Sequence, residues 1–156
     1  MAQLQPYCAI EGNDDGLPVV FVHVMGVDHR SRRMLDKAFD GDDAIRRIYL
    51  DLPGFGRTPA LPEHACGLPE MADWLQTAID GLVGKAAPFA MVGNSMGGAL
   101  VREVLAREPR RVAGMALIAP VVDPQHAGRH VAEHVVAQPN PKLTHSLPRE
   151  QVFDCI

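Results

Sequence analysis

Ser95 stands between two glycines at equal spacing, in Gly93-Asn94-Ser95-Met96-Gly97. A serine hydroxyl becomes a useful nucleophile when it is presented on a sharp turn and the charge that develops on attack is stabilised. This spacing meets the first requirement. Glycines two residues to either side let the backbone turn where a side chain would strike the neighbouring strand or helix. The flanking sequence meets the second. Phe89 to Val92 reads as a strand, and Met96 to Arg107 reads as a helix ended by Pro109. A helix starting beside Ser95 aims free N–H groups and its positive dipole end at the hydroxyl. The chemistry implied is acyl transfer with Ser95 as the attacking group.

Such a serine needs a base to take its proton and an acid to orient that base. Asp123, just past the last apolar run, reads as a turn aspartate before Pro124. His126, His130, His134 and His145 come late enough to be considered for the base, although nothing in the sequence selects among them. The first three share one helix face at i, i+4 and i+8. No H-E-x-x-H or carboxylate cluster accompanies them, so they read as a polar stripe, and neither a metal nor an organic cofactor is implied. Asp51-Leu52-Pro53-Gly54-Phe55-Gly56 echoes the Asp-x-x-Gly of GTPases. The phosphate loop that reading requires is missing, because Ile79 stands where the first glycine before Gly84-Lys85 should be. The segment therefore reads as a tight turn packed near Ser95.

The elements that must position these residues alternate. Tyr7 to Glu11 is a weak strand, followed by the turn-rich Gly12-Asn13-Asp14-Asp15-Gly16. Val19 to Val24 and Ile45 to Leu52 are strands, with a helix expected over Arg32 to Phe39 between them. From Pro69 to Val83 the apolar residues keep a 3.6-residue period, with Gly84 just past the end. Val112 to Ala119 is the last strand, and Gln125 to Val136 is expected to be partly helical. Strands alternating with helices predict an α/β fold, a three-layer sandwich on a mostly parallel sheet, with chemistry at the carboxyl ends of the strands. Residues 1–120 read as the core, and residues 121–156, with four prolines and no strong strand, as the start of a lid.

Composition narrows the partners. The 156 residues are 47% apolar with a net charge of −4, and the charges are interspersed, so no basic stripe suggests nucleic acid. No apolar run is long enough to span a membrane. The N-terminus lacks the basic and apolar regions of a secretory signal. Cys8, Cys66 and Cys155 are odd in number and form no CxxC, which favours a reducing, cytoplasmic setting over a disulfide framework.

Four blocks in order resemble the α/β-hydrolase superfamily: Phe21-Val22-His23-Val24-Met25-Gly26, Asp51 to Gly56, Gly93 to Gly97, and Leu117-Ile118-Ala119-Pro120. The central pentapeptide resembles that family's nucleophile elbow. Its wording is similar both to hydrolases that cleave carbon–carbon bonds in ring-fission products and to carboxylesterases. The resemblance implies an oxyanion hole built from the backbone N–H groups of Met96 and Met25. His23 matches the histidine of the family's His-Gly-x loop and reads as orienting that loop. Val24 stands where glycine is usual, and a β-branched residue at a position needing positive φ would move the Met25 amide out of line. His23, Val24 and Asn94 are the residues expected to border a small ester or carbonyl substrate.

The family's chain order places an acid and then a histidine after the serine, and the resemblance implies Asp123, just past the last strand, as the candidate acid. The expected strands for both are not found beyond Ala119, which predicts a chain shorter by on the order of a hundred residues than a usual domain of this kind. Two readings follow: a serine hydrolase, or a catalytically incomplete fragment or degenerate paralogue serving as a binding or partner module. Val112 to Ala119 would then be an open sheet edge, from which a homo-oligomer or swapped assembly is expected.

Overall fold

The computed structural model describes residues 5–39 and 41–123. Five strands form one sheet: β1 (Cys8–Gly12), β2 (Leu17–Val22), β3 (Ile45–Leu50), β4 (Phe89–Asn94) and β5 (Val112–Ile118). Their spatial order is β1-β3-β2-β4-β5. β1 runs antiparallel to β3, and every other pairing is parallel. The helices are α1 (Arg30–Arg33), α2 (Leu68–Val83) and α3 (Met96–Arg107). The mostly parallel α/β architecture expected from the alternation is the one observed.

Alternation along the strands divides the core between two faces. Val20, Val22, Ile48, Leu50, Phe89 and Met91 point to one side and pack beneath α2 and α3. There they meet Trp74, Leu75 and Ile79 of α2, and Leu100, Val101 and Val104 of α3. Val19, Phe21 and Tyr49 point to the other side, where Leu35 and Phe39 cover them. Phe21 stacks on Tyr49 with ring centroids 4.5 Å apart.

The helix expected over Arg32 to Phe39 is a correction. The chain forms one turn at Arg30–Arg33 and a separate 3₁₀ turn at Asp36–Phe39. The cause is tertiary. Asp36 accepts hydrogen bonds from the Tyr49 hydroxyl and from Arg47 Nε at 3.0 Å, while Leu35 and Phe39 must lie on the sheet. A continuous helix would not hold both commitments on a segment this short.

Strand ends also shift inward. His23 and Val24 leave β2, and Asp51 and Leu52 leave β3, so all four belong to loops at the carboxyl ends. The strand order sets where those loops converge. From β2 the chain moves to β3 on one side and then to β4 on the other, so the reversal falls at β2 and β4. That reversal leaves a crevice beyond the carboxyl ends of neighbouring strands. The expectations placed on Gln125 to Val136, and on His126, His130, His134 and His145, lie outside the described residues.

Candidate active site

Ser95 directly follows β4 and caps α3 with φ 49° and ψ −113°. A non-glycine residue held there stores strain on the order of 1–3 kcal/mol, which persists only where the surroundings over-determine it. They do so here. The Ser95 N–H donates to the Ile118 carbonyl at 3.0 Å, and the Ser95 carbonyl accepts from the N–H of Val121 at 3.0 Å and of Ala99 at 3.2 Å. The flanking glycines are required by close approach. A Cβ on Gly97 would lie 2.5 Å from the Val22 carbonyl oxygen and 2.6 Å from that of His23. On Gly93 it would lie 2.5 Å from Val101 Cγ2. The spacing read in the sequence is thus a packing requirement between β2, β4 and α3.

Ser95, Asn94 and Met96 are all half-buried. Met96 is the first residue of α3, so its N–H precedes any intrahelical acceptor.

The loop after β2 supplies the second candidate amide. His23 is fully buried, and both ring nitrogens are engaged. Nε2 accepts the Leu52 N–H at 2.9 Å, which assigns the ring proton to Nδ1, and Nδ1–H donates to the Val24 carbonyl at 2.7 Å. Burial, the largest influence, holds the imidazole below its ordinary pKa and keeps it neutral. The ring thus orients the loop and has no free nitrogen to offer a ligand. Val24 does not adopt positive φ; Gly26 takes the left-handed conformation, at φ 82°. The displacement expected from a β-branched residue at Val24 therefore has no backbone cause. Met25 is 67% exposed, and no acceptor among the described residues takes its N–H.

The loop after β3 holds more than the tight turn read from Asp51 to Gly56. Asp51 is fully buried, and its carboxylate gathers three hydrogen bonds. Oδ1 accepts from the His29 N–H at 2.7 Å and from His29 Nδ1 at 2.8 Å, and Oδ2 accepts from the Arg57 N–H at 2.9 Å. His29 is buried as well, its ring 5.1 Å from that of Tyr7. This pair was missed in the sequence. Its one signal is an aspartate ending an apolar strand, where a buried carboxylate must find donors.

An open cleft of about 430 Å³ runs between the two loops, bordered by Val27, Asp28, Arg30 and Phe55. Asp28, His29 and Asp51 bring potential ligand atoms within 4.8 Å of one another. Their chemistry is already committed, because Arg30 Nη2 holds Asp28 at 2.6 Å and Asp51 is filled by N–H donors. The Arg30 guanidinium lowers the Asp28 pKa to about 2. Asp123 is exposed, two residues beyond Val121, whose N–H is tied to Ser95; Arg102 Nη1 fixes that segment through the Val122 carbonyl at 3.0 Å. No described helix is long and apolar enough to cross a membrane.

A family model described as the alpha/beta hydrolase fold matches residues 17–140. Among curated proteins, the chain is 33% identical over 108 residues to the dihydrolipoyllysine-residue acetyltransferase component of an acetoin cleaving system from Pseudomonas putida. That match covers 69% of this chain and 28% of the relative. Among solved structures, it is similar to an alpha/beta superfamily hydrolase from Oenococcus oeni PSU-1, with a TM-score of 0.73, 23% identity, and coverage of 92% of this chain and 54% of that one. A thermophilic esterase from Thermogutta terrifontis gives a TM-score of 0.63 at 28% identity, covering 77% of this chain and 42% of that one. The chain thus spans about half or less of the length of each of these proteins.

Proposed function

Since the chain belongs to the α/β-hydrolase family, we propose that it carries the nucleophile half of a serine hydrolase acting on a small ester or related carbonyl compound. The observation that carries this reading is the backbone of Ser95, a non-glycine residue held at φ 49° at the start of α3. Strain of that kind is maintained where a side chain must be presented. In the reaction, Ser95 Oγ bonds to the carbonyl carbon as its proton passes to a base. The alcohol leaves with a proton, and water then cleaves the acyl-serine. The N–H groups of Met96 and Met25 are the proposed oxyanion donors, each worth on the order of 2.7–4 kcal/mol in the transition state. Asn94 and Val24 would border the substrate, with His23 holding the loop behind them. Asp123 is the proposed acid, residues 1–120 the core and residues 121–156 the beginning of a lid. The esterase among the similar structures makes an ester the first substrate to try.

One observation favours a second reading, a module that binds without turning over. Among the described residues, both buried histidines are committed elsewhere, His23 to the Leu52 N–H and Val24 carbonyl, His29 to Asp51. A fluorophosphonate probe separates the readings. Labelling that is lost in Ser95→Ala, together with steady hydrolysis of p-nitrophenyl acetate, is the expected result. Labelling without turnover supports the module, and a folded chain that takes no label at Ser95 refutes the nucleophile. The free thiols of Cys8 and Cys66 support a reducing, cytoplasmic setting. The partly exposed Leu117 and Ile118 of β5 support self-association, which sedimentation at micromolar concentration tests.

A further inference from the structure

Met25 sits on an arch with both feet fixed to the same neighbouring loop. At one foot, His23 joins the Leu52 N–H to the Val24 carbonyl. At the other, Asp51 holds His29 twice, through its backbone N–H and its ring Nδ1, at 2.7 and 2.8 Å. The same carboxylate closes its own loop through the Arg57 N–H at 2.9 Å. That closure depends on Gly56, at φ 55°, because a Cβ there would fall 2.5 Å from Asp51 Cγ. Between the two feet, residues 24–28 cross without a further hydrogen bond from that loop, and Gly26 supplies the bend.

We propose that His29 and Asp51 form a positioning pair that sets the height and direction of the Met25 amide over Ser95. This rests on the reading of Met25 as an oxyanion donor. The arrangement suits the task because two bonds from one carboxylate to one residue fix both the position of the backbone and its rotation. A single bond would leave the arch free to pivot. Two other roles fit less well. Direct proton abstraction by His29 does not suit the geometry: Asp51 holds its ring toward the end of β3, which β2 separates from β4 and the serine. The ring also leans toward Tyr7, on the side of β1. Cation binding would require displacing three N–H donors from Asp51 and Arg30 from Asp28.

The test compares His29→Asn, whose amide keeps a donor near the Nδ1 position, with His29→Gln, whose donor lies farther out. Fluorophosphonate labelling of Ser95 is followed as maximal rate and half-saturating concentration, alongside the amide NMR signals of Met25 and Gly26. His29→Gln should slow maximal labelling by about 10- to 100-fold, part of the loss from deleting a donor outright, without changing half-saturation. It should also shift both amide signals, and His29→Asn should restore rate and signals together. Wild-type labelling and unmoved amides in a folded His29→Gln protein would overturn the pair, as would equal losses in both variants. If the wild type takes no label, the nucleophile reading fails, and the amide signals still judge the pair. If His29→Gln does not fold, the wild type decides: the His29 Nδ1 proton must exchange slowly, and rapid exchange refutes the pairing.

Discussion

Alanine at Gly97 should loosen the fold and disarm the serine, whereas alanine at Gly81 should do the reverse to stability and nothing to the serine. Both glycines are helical, Gly97 in the first turn of α3 and Gly81 near the end of α2. At Gly97 the new Cβ meets two backbone carbonyl oxygens at 2.5 and 2.6 Å, that of Val22 at the end of β2 and that of His23 just beyond it. Neither can swing aside as a side chain would, so α3 must retreat from the sheet by several tenths of an ångström. Overpacking of this kind costs about 1–3 kcal/mol, against a helix-propensity gain of at most about 1 kcal/mol. The net expectation is a loss of about 1–2 kcal/mol, or a fall in Tm of about 3–6 °C for a chain of this size. At Gly81 nothing lies within 4 Å and the φ is not positive, so the propensity gain of about 0.5–1 kcal/mol stands alone. Urea unfolding of the full chain measures both variants, and the fluorophosphonate rate measures the serine. A Gly97→Ala protein as stable as wild type and labelled as fast would refute the close-packing account of the elbow.

Four further outcomes are expected. Ser95→Gly should be more stable than Ser95→Ala by about 1 kcal/mol in urea unfolding, since glycine relieves the positive φ that alanine keeps. His23 has a depressed folded pKa, so the unfolded chain takes up its proton first as pH falls. Its share of stability is therefore complete above the ordinary value of 6.5 and declines below it; the pH slope of unfolding should flatten in His23→Gln, and an unchanged slope would contradict this. Asp51→Ala strands the two buried N–H donors of His29 at about 1–3 kcal/mol each, and that of Arg57 besides, and should approach global unfolding, visible in the near-ultraviolet dichroism. Tyr49→Phe removes the hydroxyl donor from the Asp36 carboxylate, leaving Arg47 and Arg33 beside it, and should lower Tm by about 2–4 °C through loss of roughly 1 kcal/mol.

The elbow was legible because its cause is local. Glycine spacing, an apolar strand and a helix start lie within twenty residues and answer to the same steric constraint. The boundaries of α2 and α3 were legible for a similar reason, through period, proline and glycine. What escaped was set by pairing between distant segments. His29 and Asp51 are 22 residues apart and meet only because β2 and β3 lie side by side in parallel, a register no pattern announces. Asp36 breaks the expected helix for the same kind of reason, through Tyr49 and Arg47 on β3. At Val24 the sequence pointed to conformational trouble that the loop avoids by bending two residues later, at Gly26.

The bonds that hold Ser95 in its strained form carry a consequence for how the protein is made. Beyond the Ala99 N–H within α3, its N–H and carbonyl are secured by Ile118 and Val121, which a ribosome adds more than twenty residues after the serine itself. β4 and α3 can be synthesised in full while the turn between them still lacks those anchors. The strained backbone of Ser95 is therefore expected late in vectorial synthesis, after β5 has emerged and docked. On the proposed reading of Ser95 as the nucleophile, the chain would arm it only once that support is in place.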